Sequence, residues 1–338
     1  MANLTITDAG GMNPYWPDLF EVDFEDPATS VVKTATSFIV TWESADWGTV
    51  EIRFTGTGLV YSDGTFPEGG RLLEGTLNAM TVNVEGATWL TGGALNLSAE
   101  ALDHIWLGWV QRGEYRPGDA FDLWSFMLRG NNVITGSDSD DDLVGGRNPG
   151  NDTIFGGGGS DFIKADAGND VIDGGDERDT YTLTESFFDR QAFQGAVVNL
   201  ATGTATDSWG GTDTLISIER VEGSRFADQF IGSDANDRFA GLKGRDTIDG
   251  GAGWDTVRYD RDADYGGLRG VNVNLATGVA QDGWGQIVRW SVSRVCAPRA
   301  STTRWSGMIR RTGCMAGPGW MSSMVGQERI LSISGMIS

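Results

Sequence analysis

The chain has 338 residues, 39% of them apolar, a net charge of −22 and 50 glycines. That apolar content excludes disorder throughout, and the acidity excludes a nucleic-acid partner, because a phosphate backbone would be repelled. The natural counterpart of such a chain is a cation.

The charge is unevenly spread. Residues 1–286 carry 46 acids against 18 lysines and arginines, with no cysteine. Residues 287–338 carry one acid, Glu328, with seven arginines and both cysteines, Cys296 and Cys314. No disulfide framework can therefore hold residues 1–286 together. No run reaches the ~18 consecutive apolar residues of a membrane helix, so no transmembrane segment is expected. The start, "MANLTITDAGGMNPYW", lacks the charged region and apolar core of a secretory signal.

Residues 1–130 predict a β-rich N-terminal domain with one helix. "DLFEVDF" (18–24) alternates apolar Phe20, Val22 and Phe24 with acids, the period of a half-buried strand. Further strands are expected at 37–42, 49–62 and 79–86, each bounded by turn residues. A helix is expected at 98–110, with Ser98 as its cap and Leu102, Ile105, Trp106 and Trp109 as its apolar stripe. Seven of the thirteen tryptophans lie in this part. Packing is the simpler use for them, and a platform for a glycan or another cell-surface ligand is the alternative. His104 is the only histidine, and neither H-E-x-x-H nor G-x-S-x-G occurs, so the chain is expected not to be an enzyme. The rival is an enzyme with an unrecognised catalytic head.

From Gly136 the aspartates fall into register. The blocks "GSDSDDDLV", "GGRNPGNDTIF", "GGGGSDFIK", "ADAGNDVID" and "GGDERDTYT" end Asp-x-apolar-x, at Asp141, Asp152, Asp161, Asp170 and Asp179. A second array, "GSRFADQFI", "GSDANDRFA", "GLKGRDTID" and "GGAGWDTVR", places Asp228, Asp237, Asp246 and Asp255 nine residues apart. The x-apolar-x triplet makes a short strand with its middle side chain inward. The Gly-rich hexapeptide makes a turn that needs positive φ. Two repeats complete a coil of about 18 residues, so repeat n lies beside repeat n+2. The expected pairs are Asp141 with Asp161, Asp152 with Asp170, Asp161 with Asp179, Asp228 with Asp246, and Asp237 with Asp255. Each gap between stacked turns gathers carboxylates and carbonyls, an all-oxygen nest suited to Ca²⁺.

The pattern Gly-Gly-x-Gly-x-Asp-x-apolar-x resembles the RTX, or haemolysin-type, calcium-binding repeats of bacteria over roughly 136–182 and 223–258. The resemblance implies an all-β chain, parallel β-roll arrays joined by β connectors, with Ca²⁺ held by the nine aspartates. It also implies a secreted or cell-surface protein exported by type I secretion through an uncleaved C-terminal signal.

Between and after the arrays, "AVVNLATGTATDSWG" (196–210) returns as "VNVNLATGVAQDGWG" (271–285). The "NLATG" segment predicts a hairpin-like connector with Trp209 and Trp284 over its apolar side, and Asp207 and Asp213 are lesser candidate ligands. Beyond Gly285 the two copies diverge, and the basic tail fits a frameshift near Gln286, which would cost the chain its original C-terminal export signal; the alternative is a genuine basic tail for a membrane or an acidic partner. The expected organisation is 1–130 head, 131–183 first array, 184–222 connector, 223–260 second array, 261–286 start of a second connector, and 287–338 aberrant tail.

Overall fold

The computed structural model describes residues 3–6, 30–44, 48–62, 72–95, 97–98, 128, 130–145, 149–164, 166–184, 192–274, 276–291, 294–296 and 304–306. Every regular element among them is a strand. The expected strand at 18–24 lies outside the described residues. So does the helix expected at 98–110, apart from Ser98, which ends the two-residue strand Leu97–Ser98. The chain divides into two compact units, 1–179 and 180–338.

In the first unit, β1 is Asn3–Ile6, β2 Ser30–Lys33, β3 Ser37–Ser44, β4 Gly48–Tyr61, β5 Leu72–Val84 and β6 Ala87–Gly93. Strands β2 to β6 form an antiparallel meander, and β1 pairs antiparallel with β6. The alternation in β4 buries Val50, Ile52 and Phe54, while Glu51 and Arg53 form an ion pair on the other face. The core also holds Phe38, Met80 and Val82, and Trp42 is buried among the core residues, as packing requires. β3 departs from simple alternation, because Phe38, Ile39 and Val40 are all buried.

The sheet of the head continues into the first array through β1. After Leu97–Ser98 (β7), strand β8 (Val133–Thr135) pairs in parallel with β1, Leu4 opposite Ile134. The next coil places β9 (Asp142–Val144), β10 (Thr153–Gly157), β11 (Phe162–Lys164) and β12 (Val171–Gly175). β8, β10 and β12 form one parallel face and β9 and β11 another, with Ile154 opposite Ile172 and Leu143 opposite Ile163. The inward residues Leu143, Ile154, Ile163 and Ile172 are buried, a core one side chain wide per repeat. Turns stack so closely that glycine is required. At Gly157 (φ 106°) and Gly175 (φ 95°) an added Cβ would collide with the carbonyls of Ser137 and Gly157, respectively.

In the second unit, β13 (Thr180–Thr182) precedes the connector strands β14 (Val197–Asn199), β15 (Thr204–Thr206) and β16 (Thr212–Ile216). These three form the expected hairpin and one further antiparallel strand, with Gly203 at φ 64° in its turn. The chain then re-enters the roll through β17 (Arg220–Glu222), β18 (Gln229–Ile231), β19 (Arg238–Ala240), β20 (Thr247–Asp249) and β21 (Thr256–Arg258). One face runs β14, β18, β20 and the other β13, β17, β19, β21, all parallel. Phe230, Phe239, Ile248 and Val257 fill the core, and the rings of Phe230 and Phe239 stack at 5.9 Å. The second connector repeats the first as β22 (Asn272–Asn274), β23 (Val279–Gln281) and β24 (Ile287–Ser291). Trp209 and Trp284 are half-buried beside these hairpins.

The segment after Gln286 does not leave the fold at once. β24 lies parallel to β20, with Val288 buried and Arg289 exposed. β25 (Arg294–Cys296) continues from β21, and β26 (Arg304–Ser306) pairs with β22. A parallel coil ends in a row of unpaired backbone groups, and a β-prone segment of alternating polarity can pair with that row.

Candidate metal centre

The nine motif aspartates are all buried, none more than 3% exposed. Their burial follows from the hexapeptide turn, which folds the carboxylate back over the turn two repeats upstream or, at Asp228, over Ala196 of the connector. Asp161 Oδ1 accepts the backbone N–H of Asp141 at 2.8 Å, Asp170 Oδ1 that of Asp152 at 2.7 Å, and Asp179 Oδ1 that of Asp161 at 2.8 Å. In the second array Asp246 Oδ1 caps Asp228 at 3.0 Å and Asp255 Oδ1 caps Asp237 at 3.1 Å. All five expected pairs are therefore brought together. The two-residue insertion at 148–149 predicts a distorted loop at Asp152, but the pairing register is kept there, because Asp152 still accepts from Asn132 N–H at 2.6 Å.

That last bond reveals a repeat that the aspartate count misses. "GNNVIT" (130–135) matches "GNDTIF" (150–155) and "GNDVID" (168–173), with Asn132 in the aspartate position. The residue before each aspartate forms a second ladder: Asn131 Oδ1 caps Asn151, Asn151 Oδ1 caps Asn169, and Asn236 Oδ1 caps Trp254. The recurring "GND" and "AND" triplets carried that signal.

With Oδ1 committed to the backbone, the second carboxylate oxygen decides what each gap can do. Oδ2 of Asp152, Asp161 and Asp246 is buried and has no hydrogen-bond partner. Leaving such an anion unpaired is costly, and burial accordingly pushes these carboxyls up, to about 6 for Asp152, about 7 for Asp161 and about 9 for Asp246. Burial is the largest cause in each. At Asp246 the charges of Asp228, Asp282 and Asp262 add to it. The copies that begin Gly-Ser differ. Ser137 donates both its N–H and its hydroxyl to Asp141 Oδ2, and Ser233 does the same to Asp237 Oδ2. Ser224 divides its two donors between the oxygens of Asp228. The serine turns thus satisfy their own carboxylates, whereas Oδ2 of Asp152, Asp161 and Asp246 meets no donor.

One gap gathers three acids. Carboxylate oxygens of Asp152, Asp166 and Asp170 all lie within 4.8 Å of one another. Asp166 sits in "ADAG", where the motif has Gly-Gly-x-Gly, so the nonapeptide pattern gave it no role.

Asp207 and Asp213 serve the connector. Asp207 Oδ1 accepts the N–H groups of Trp209 and Gly211, closing the Asp-x-Trp-Gly turn, and Asp282 closes the second copy by accepting from Trp284 and Gln286. Asp213 Oδ2 accepts the hydroxyl of buried Tyr181 at 2.6 Å.

The donor set fits a hard cation: buried carboxylate oxygens without donors, beside turn carbonyls, with no cysteine or histidine in either array. The family comparison agrees. A model of the RTX calcium-binding nonapeptide repeat (4 copies) matches residues 128–149, 147–181 and 219–265. The two arrays are RTX calcium-binding repeats. The match begins at residue 128, so it takes in the Asn132 copy. No curated protein matches the chain. Among the described residues, no helix is long and apolar enough to cross a membrane.

Proposed function

We propose that this chain is a non-catalytic, secreted or cell-surface protein whose RTX arrays complete their folding when Ca²⁺ enters the gaps between stacked turns. The observation that carries this reading is the set of buried Oδ2 atoms with no donor at Asp152, Asp161 and Asp246. In it, Asp141 and Asp161, Asp152 and Asp170, Asp161 and Asp179, Asp228 and Asp246, and Asp237 and Asp255 hold the ions in pairs. Ca²⁺ supplies the positive charge that the arrays lack. The protein's part is to place the oxygens: Oδ1 of Asp161, Asp170, Asp179, Asp246 and Asp255 locks the turn two repeats upstream, and glycines such as Gly157 and Gly175 let the turns approach. Extracellular calcium modules bind at ~10⁻⁴–10⁻³ M, so these arrays would load outside the cell and stay empty at cytosolic calcium.

Differential scanning calorimetry of the full chain in chelator and in millimolar Ca²⁺ tests this. Each site filled at ten times its Kd adds roughly 1.4 kcal/mol, so a large rise in Tm is expected. An unchanged Tm would refute the reading.

A further inference from the structure

We infer that the gap bounded by Asp152, Asp166 and Asp170 is the tightest cation site of the chain, with Asp166, a residue outside the nonapeptide motif, as its distinguishing ligand. The inference rests on the calcium reading above and ranks its sites.

The geometry is specific to this gap. Among the described residues, these are the one set of three acids whose carboxylate oxygens all lie within 4.8 Å. Asp152, Asp166 and Asp170 are 1%, 3% and 1% exposed. Asp152 Oδ2 has no hydrogen-bond partner, while its Oδ1 is held by both the backbone and the side-chain N–H of Asn132, at 2.6 and 3.0 Å. The free oxygen is therefore aimed, since the other is tied down. Gly145 marks the space it faces: a Cβ there would stand 2.7 Å from Asp152 Oδ2 and 3.6 Å from Asp166 Oδ1. Carboxylates from two different turns thus converge on the spot that the missing side chain leaves open.

Charge count sets affinity in oxygen sites for divalent ions. The gaps at Asp141, Asp228 and Asp237 spend carboxylate oxygens on serine donors, whereas this one adds a third anion. It would fill first as calcium rises. The coil built on Ile154 and Ile172 would then order before its neighbours and give them an edge to pair with. Calcium is favoured over Mg²⁺ because oxygens from separate turns form an adaptable cage, while Mg²⁺ demands a near-ideal octahedron.

Isothermal titration of the decalcified full chain with CaCl₂ tests the ranking. The wild type is expected to show one tight class of unit stoichiometry above a weaker class. Asp166→Asn should remove the tight class, weakening that site on the order of tenfold or more, with the weaker class kept. Asp255→Asn should lower the number of weak sites and leave the tight one. Persistence of the tight class in Asp166→Asn overturns the proposal. So does a single affinity class in the wild type, a result that needs no variant to fold. Absence of any calcium binding would defeat the underlying calcium reading itself, an outcome distinct from equal sites.

Discussion

Oδ1 of Asp161 accepts the backbone N–H of Asp141 at 2.8 Å while Oδ2 of the same carboxylate meets no donor. One side chain thus performs two separable tasks, a structural cap and an anionic ligand. Two substitutions separate them. Asp161→Asn keeps an oxygen for the cap and removes the charge. Without calcium at pH 8 it should raise Tm, and it should blunt the response to calcium. Asp161→Ala loses both tasks, and without calcium it should be about 1 kcal/mol less stable than Asp161→Asn, the value of the lost cap. Thermal melts in chelator and in Ca²⁺ check both signs.

The pH dependence should reverse with calcium. In the metal-free protein the carboxyls of Asp152, Asp161, Asp262 and Asp246 sit above their ordinary value, at about 6, 7, 7 and 9, chiefly through burial. A carboxyl raised on folding binds more protons folded than unfolded. Its favourable contribution is complete below the unfolded pKa, near 4, and is lost as pH rises through the folded one. The chelated protein should therefore lose stability between pH 5 and 9. With Ca²⁺ saturating, metal and proton compete for the same oxygens, so the calcium-induced gain should grow over that range. Calorimetry at several pH values, with and without metal, reads both trends.

Much of this site could be read from spacing alone. The nine-residue period fixed which aspartates meet, because two repeats make one coil and strand pairing conserves that count. The signal failed where the place in the stack was kept but the letter changed: Asp152 Oδ1 caps the backbone N–H of Asn132 as it would cap an aspartate copy, yet the Asn132 side chain is not acidic and donates to Asp152 Oδ1 and the Gly145 carbonyl. It failed again at Asp166, which acts from a position where the pattern expects glycine. The pairing of Leu4 with Ile134 had no local sign, since it joins strands far apart in sequence and depends on the head closing onto the first coil. In β3, alternation could not show that both faces of Ile39 and Val40 would be covered.

Glu177 occupies a turn position where the motif has glycine, and it adopts φ 75°. A left-handed backbone costs a side-chain-bearing residue roughly 1–2 kcal/mol, partly offset by the extra freedom glycine has when unfolded. Glu177 is exposed, so Glu177→Gly should stabilise the array by about 0.5 kcal/mol. Denaturant unfolding in saturating calcium would show it as a higher midpoint at constant slope.

Ser233 binds Asp237 Oδ2 through both its N–H, at 2.6 Å, and its hydroxyl, at 3.0 Å, and its hydroxyl also accepts from Ala235 N–H. Ser233→Ala keeps the backbone bond and frees one lone pair of the carboxylate. The metal-free protein should lose about 1 kcal/mol, and the stabilisation gained from calcium should increase. A cycle of melts on wild type and variant, with and without Ca²⁺, yields that coupling.

The central claim is that calcium, more than the thin apolar core, holds the arrays together. Hydrogen exchange of the full chain, followed segment by segment in chelator and in millimolar Ca²⁺, tests it most directly. Amides of residues 142–182 and 223–258, including those of buried Ile163 and Phe239, should exchange rapidly without the ion and become protected with it. Equal protection of those segments in both conditions would contradict the account.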